Sequence, residues 1–350
     1  MRGKVLLGVV AVAVVVGGLA SRWAWGRAHE SYRGYAGQEL FVDIPPGSGA
    51  SDIGRRLVDA GVVRDDLTMR LALWWSGRAT DLKAGQYRFA VPLTAFDVVD
   101  RIAKGDVFLA RLTFPEGLAL REMASIFATK GFGTESEFLE AAAQGQLLRG
   151  LDDAAADLEG YLFPDTYGVP RGTTAARLVA LMVDRFRSSF PADLRASAAR
   201  QGLTVRQVVT LASLVERETA RAEERPLVAA VYRNRLRLGM LMQADPTVVY
   251  ALRRAGRYDG NMRKADLQFD SPYNTYRYPG LPPGPIAAPG KASIAAVVEP
   301  ADVPYFYFVS RNDGSHAFAE TLVRHNANVQ AYQVRYFRER RAARAASARR

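Results

Sequence analysis

The longest hydrophobic pattern in the chain is a charge-free apolar run from Val5 to Ala20, with Arg2 and Lys4 before it and Ser21, Arg22, Trp23 and Trp25 after it. Its length is near the lower limit of the about 17–25 residues that a spanning helix needs, and tryptophans at its end suit the membrane interface. The pattern predicts an N-terminal transmembrane anchor over residues 1–30. A removed signal peptide, cut near Gly18-Leu19-Ala20, is the competing reading of the same residues. Either way the remainder is exported.

Further along, the pattern repeats. "VDIPPGSGASDIGRRLVDAG" (42–61) aligns without gaps on "LTFPEGLALREMASIFATKG" (112–131) at a constant offset of 70. Each copy reads as a short strand, a Pro-x-Gly turn and an amphipathic helix that a glycine, Gly61 or Gly131, brings to a stop. Between them, residues 83–107 read as strand, turn and helix. The front half is therefore a small α+β region over 38–110, followed by a second strand–helix unit or linker over 111–158. It either grips a ligand or spaces the rest of the chain from the membrane. After "EGYLFPDTYGVP" (159–170) the period changes to 3.6 over 175–200 and 204–238, and a helical or mixed domain is expected over 159–334. From residue 243 the chain is rich in turns, and its long Pro/Gly-dense loop points to function. An aromatic strand, "PYFYFVS", comes next.

Composition changes this picture mainly by exclusion. There is no cysteine, and the three histidines (His29, His316 and His325) have no metal-ligand spacing, so thiolate, zinc and serine–histidine chemistry is disfavoured and neither metal nor cofactor is expected. The net charge is +11, but residues 335–350 hold seven Arg and one Glu, so +6 of it lies in a basic C-terminal tail. Such a run reads first as a solvated helical tail, and no nucleic-acid partner is expected.

One helix breaks its own pattern. In "LASLVERETA" (211–220), at about 100° per residue, Val208, Leu211, Ala212, Leu214 and Val215 define an apolar stripe. Glu218 falls inside that stripe, and Glu216 at its opposite margin. Burial raises a carboxyl pKa toward what a general acid needs near neutral pH. The alternative is a buried salt bridge from Glu218 to Arg225 or Arg233. Downstream, Gln243 and Asp245 in "LMQADPTVVY", and Asn274, Thr275 and Tyr276 in "YNTYRYPGLPPG", supply the amides, carboxylate and aromatic faces that sugars bind. A structural turn with packed aromatics would use the same residues.

Taken in order, "EGYLFPDTY", "LASLVERETA", "ERPLVAAVYRNRLRLGMLMQADPTVVYAL", "SPYNTYRYPGLPPGPIAAPG", "YFYFVS" and "SHAFAETLVRHN" resemble the endolytic murein transglycosylase (YceG-like) family over nearly the whole chain. The resemblance implies an α+β protein with an N-terminal membrane anchor, a small LysM-like subdomain and a lytic transglycosylase-type catalytic domain. It implies a lyase that cleaves the β-1,4 bond between N-acetylmuramic acid and N-acetylglucosamine in nascent glycan strands, leaving 1,6-anhydro ends. Glu218 matches the family's catalytic glutamate; Gln243, Asp245, Asn274, Thr275, Tyr276 and Glu216 are the candidates for substrate contacts. Glycan strands, the inner membrane and the peptidoglycan synthases (penicillin-binding proteins) are the implied partners. The alternatives are a hydrolytic muramidase using Asp245 and a non-catalytic glycan-binding scaffold.

Overall fold

A computed structural model describes residues 2–347, with side chains over 11–341. It divides into two compact units: residues 1–111 with 168–172, and residues 112–167 with 173–350.

The first unit begins with α1 (Arg2–His29). Among the described residues no helix is long and apolar enough to cross a membrane. The first part of the expected span, through Val10, lies outside the residues whose side chains are described. Strand β1 (Leu40–Ile44), helices α2 (Ala50–Asp59) and α3 (Asp66–Ser76), strand β2 (Gly85–Phe89) and helix α4 (Ala95–Lys104) follow. The strands pair antiparallel, Val42 opposite Tyr87 and Leu40 opposite Phe89. Alternate residues turn inward, so Val42, Ile44, Tyr87 and Phe89 meet Ile53, Leu57, Met69, Val98, Val99 and Ile102 in one apolar core. Thr94 caps α4 with a reciprocal Asp97 bond, which fixes where that helix starts. At the end of α1, Trp25 packs edge-on to Trp75 (5.2 Å between centroids) and Arg27 pairs with Asp65.

The second unit starts with the other copy of the repeat, β3 (Ala110–Thr113) running into α5 (Leu120–Thr129). Gly47 and Gly117 take φ of 82° and 79°, Gly61 and Gly131 of 71° and 75°, so the equivalent turns and helix stops share one backbone geometry. Helix α6 (Glu135–Ala142), strand β4 (Thr166–Val169), and helices α7 (Ala175–Ser189), α8 (Ala192–Arg200) and α9 (Val205–Glu218) come next. They are followed by α10 (Arg225–Arg237), α11 (Asp245–Arg254) and α12 (Lys291–Val298). The hairpin β5 (Tyr307–Ser310) and β6 (His316–Ala319), then α13 (Leu322–Val329) and, after one wide turn, α14 (Tyr336–Ser347), complete the chain.

Helix α9 is central: α8, α10, α11 and α12 all pack on it. Residues Val208 to Val215 are buried without a gap. The polar members do not penalise this, because the Ser213 hydroxyl donates to Thr210 O (2.7 Å) and accepts the Ile286 N–H (3.1 Å).

Candidate active site

The site is built at the C-terminal end of α9, where two glutamates two residues apart point to different surroundings. Glu216 is consumed by the fold. Its side chain is 6% exposed, and its two oxygens accept from Arg225 Nη2 (3.1 Å) and from the Gly290 N–H (2.9 Å) at the start of α12. Space there is so tight that a Cβ on Gly290 would lie 1.8 Å from Glu116 Oε1. Arg225 is therefore partnered by Glu216, while Arg233 donates to Gln201 Oε1 and Val297 O. Neither arginine reaches Glu218, so the salt-bridge alternative does not describe this helix end.

Glu218 is partly buried. Among the described residues it has one hydrogen bond, accepted at Oε2 from the Tyr232 hydroxyl (3.1 Å). Burial, and after it the negative charge of Asp245, pushes its carboxyl up to about 7; the Tyr232 bond and the Arg235 charge pull the other way. A carboxyl so placed is about half protonated at neutral pH, with Oε1 left for a ligand. It can therefore give up a proton and take one back.

Tyr232 and Arg235 lie three residues apart on one face of α10, and sequence reasoning missed both. The signal was their spacing opposite an acid-bearing helix. Arg235 is buried and anchors the neighbouring backbone: its guanidinium donates to Met242 O (2.8 Å), Leu241 O (3.2 Å) and Phe306 O (2.6 Å). That clamp sets the segment leading into Gln243, whose φ of +51° is unusual for a residue with a side chain. Gln243 is exposed, and its N–H donates to Thr275 O (3.1 Å).

Asp245 opens α11, and its Oδ1 accepts from the Tyr276 hydroxyl (2.5 Å). Glu218, Tyr232, Asp245 and Tyr276 thus form one electrostatic cluster: burial first, and then the nearby carboxylates (Glu218 at Tyr232, Asp245 and Glu218 at Tyr276), raise both phenols. Asn274 and Thr275 are buried behind it. Asn274 donates to Leu267 O and Phe269 O and accepts the Tyr276 N–H, while the Thr275 hydroxyl accepts the Ala244 N–H (3.0 Å) and meets Thr247 Oγ1 (2.9 Å). Their polar atoms hold Gln243, Asp245 and Tyr276 in place.

A third element fixes the residue after the acid. The Thr219 hydroxyl donates to Glu224 Oε2 (3.1 Å), and Glu224 also bonds the His316 N–H (2.8 Å) and ring Nδ1 (2.6 Å). This clasp ties the end of α9 to β6.

The YceG-like family matches residues 42–331. The chain is 29% identical to a Bacillus subtilis (strain 168) protein named endolytic murein transglycosylase, over 83% of this chain and 84% of that protein. It is 32% identical to a protein of the same name from Streptococcus pneumoniae serotype 2 (strain D39), over 82% of this chain, and it spans only 57% of that longer relative. A crystal structure of a yceG-like protein from Listeria monocytogenes superposes with a TM-score of 0.57 at 30% identity, covering 83% of this chain and 98% of that one.

Proposed function

The chain belongs to the YceG-like family, and from that premise we propose that it is an endolytic murein transglycosylase, a lyase with Glu218 as its single acid–base residue. The observation that carries this is the carboxyl of Glu218, raised to about 7 and bonded at one oxygen only. Protonated, it donates to the glycosidic oxygen as the bond between N-acetylmuramic acid and N-acetylglucosamine breaks. The carboxylate left behind is stabilised by the Tyr232 hydroxyl and the Arg235 charge. It then removes the proton of the muramic 6-hydroxyl, whose oxygen attacks the anomeric carbon and closes the 1,6-anhydro ring. The proton is returned and no water is consumed, so a second catalytic carboxylate of the hydrolytic kind is not required.

Around this step, Gln243, Asp245 and Tyr276 contact the sugar, and Asp245 faces the developing positive charge. Asn274, Thr275 and Glu216 shape the cleft. The order β1-α2-α3-β2 supports a LysM-like, glycan-gripping role for residues 38–110. The Val5 to Ala20 run with Trp23 and Trp25 supports single-pass anchoring in the inner membrane, where peptidoglycan synthases extend new strands. Asp245 favours one competing reading, a hydrolytic muramidase.

Mass spectrometry of products from uncrosslinked strands tests the proposal. Internal cuts ending in 1,6-anhydromuramic acid, lost in Glu218→Gln, are expected. Reducing ends would assign the attack to water, and intact strands that still bind the native chain would leave a scaffold.

A further inference from the structure

A cavity of about 560 Å³ lies within the second unit, with Arg217, the residue before Glu218, and Pro246, the residue after Asp245, in its lining, and the reaction as derived does not use it. Pro246, Val249, Tyr250, Arg253 and Arg254 line it, spaced along one face of α11. With a rise of about 1.5 Å per residue this face runs about 12 Å from Asp245 to Arg253. Arg217, next to Glu218 in α9, lies on its wall. The cavity therefore shares with the catalytic cluster the two helices that carry Glu218 and Asp245.

Its chemistry is mixed. Leu120, Leu139, Val249 and Ile286 provide apolar walls. Arg121 has no hydrogen-bond or ion-pair partner among the described residues. Arg254 stacks over Tyr250 and Tyr273 (5.8 and 5.3 Å to the ring centroids) and donates to Tyr273 Oη, with no carboxylate in ion-pair distance. Arg253, by contrast, is taken by Glu122 (2.5 Å). Glu159 is buried with Oε1 accepting the Leu120 N–H and Oε2 accepting the Tyr250 hydroxyl. Burial pushes its carboxyl up to about 8, so at neutral pH it adds little negative charge to the cavity.

We propose that this cavity receives the carboxylate-bearing peptide carried by the muramic acid residue, with Arg121 and Arg254 meeting its carboxylates and the aliphatic walls its side chains. The proposal rests on the transglycosylase reading, because in murein the peptide hangs from the same sugar whose bond is cut. A phosphate group fits less well: the Ala119 and Leu120 N–H groups that could cradle it are already taken by Glu122 and Glu159.

The test uses the full-length chain carrying Glu218→Gln, so that ligands bind uncut, titrated calorimetrically with two probes. One is a murein tetrasaccharide bearing its peptides; the other is the same tetrasaccharide stripped of them by an amidase. The peptide-bearing probe is expected to bind roughly tenfold more tightly, the size of effect expected from charge-assisted contacts at a partly solvated site. Adding Arg121→Ala and Arg254→Gln brings the ratio close to one while the stripped probe keeps its Kd, which also certifies the fold. Arg121→Glu, on an exposed helix surface, provides an independent variant that lowers the ratio in the same direction. Equal binding of the two probes, or a preference that survives these changes, overturns the proposal. Incubating the native chain with each probe tests the activity separately: no anhydro ends from either would sink the transglycosylase reading and leave the binding ratio to be judged alone.

Discussion

Replacing Glu218 by glutamine should abolish cleavage and at the same time stabilise the protein, and the second effect has a pH signature. In the unfolded chain the carboxyl titrates at its ordinary value of 4.5; in the folded chain it titrates at about 7. The native state thus binds the proton more tightly, and wild-type stability falls as pH rises from 4.5 to about 7, then levels off. That gap, at about 1.36 kcal/mol per pH unit, corresponds to about 3 kcal/mol, which solvent at a partly open cleft reduces to about 2 kcal/mol. Glutamine keeps the shape and can still accept from Tyr232, but carries no charge to desolvate. The variant should match wild type at pH 4.5 and exceed it by about 2 kcal/mol at pH 8. Urea unfolding followed by circular dichroism at both pH values measures this difference. Subtracting variant from wild type cancels other titrating groups, Glu159 included. All four tryptophans lie in the first unit, so their fluorescence supplies an internal reference that should not move. Equal stability differences at the two pH values would refute the raised carboxyl and with it the reason for assigning Glu218 as the acid.

Further perturbations separate the parts of the cluster. Tyr232→Phe removes a bond that favours the charged carboxylate, so the alkaline fall of the pH–rate profile should move to higher pH, with a loss of roughly tenfold in kcat; an unmoved limb would detach Tyr232 from the acid. Asp245→Asn removes a negative charge that raises Glu218, and the same limb should move to lower pH, read on the anhydro-product rate between pH 5 and 9. Glu216→Ala leaves Arg225 without its closest partner and should cost about 3–5 kcal/mol in urea unfolding, while the pH–rate profile of the folded fraction stays where it was.

The repeat, and the odd placement of Glu218 on its helix, are legible in the sequence for physical reasons. Gly47, Gly61, Gly117 and Gly131 mark backbone conformations that other residues avoid, so the two strand–helix copies can be read before any coordinates. Glu218 is legible because a carboxylate on an apolar helix face contradicts its surroundings. Its partners are less so. Tyr232 and Arg235 sit on a helix of low amphipathic contrast, and only the crossing of α10 with α9 shows which of several arginines comes near the acid. Asn274 and Thr275 carry groups that suit sugar contacts and loop bracing equally; burial, which no local pattern encodes for a turn-rich segment, makes them braces. The repeat also conceals a difference: the second copy belongs to the unit that carries the site, and that depends on contacts distant in the chain.

The two glutamates also show how one helix end gives the same side chain two different surroundings. Both lie in the last turn of α9, where exposed carbonyls disfavour a negative charge. At Glu216 this is offset by the Arg225 guanidinium and by an N–H at the start of α12, the positive end of another helix. At Glu218 the compensation is incomplete: a phenol and a more distant Arg235 favour the charge, while burial and Asp245 oppose it more strongly. Arg235 is also engaged by three backbone carbonyls, which keeps it from closing a direct ion pair with the acid. Had Arg235 been free to do so, Glu218 would stay ionised at neutral pH and could not act as the donor. The backbone clamp therefore does two things: it positions the segment before Gln243, and it leaves the Glu218 carboxyl raised, as the proposed proton exchange needs.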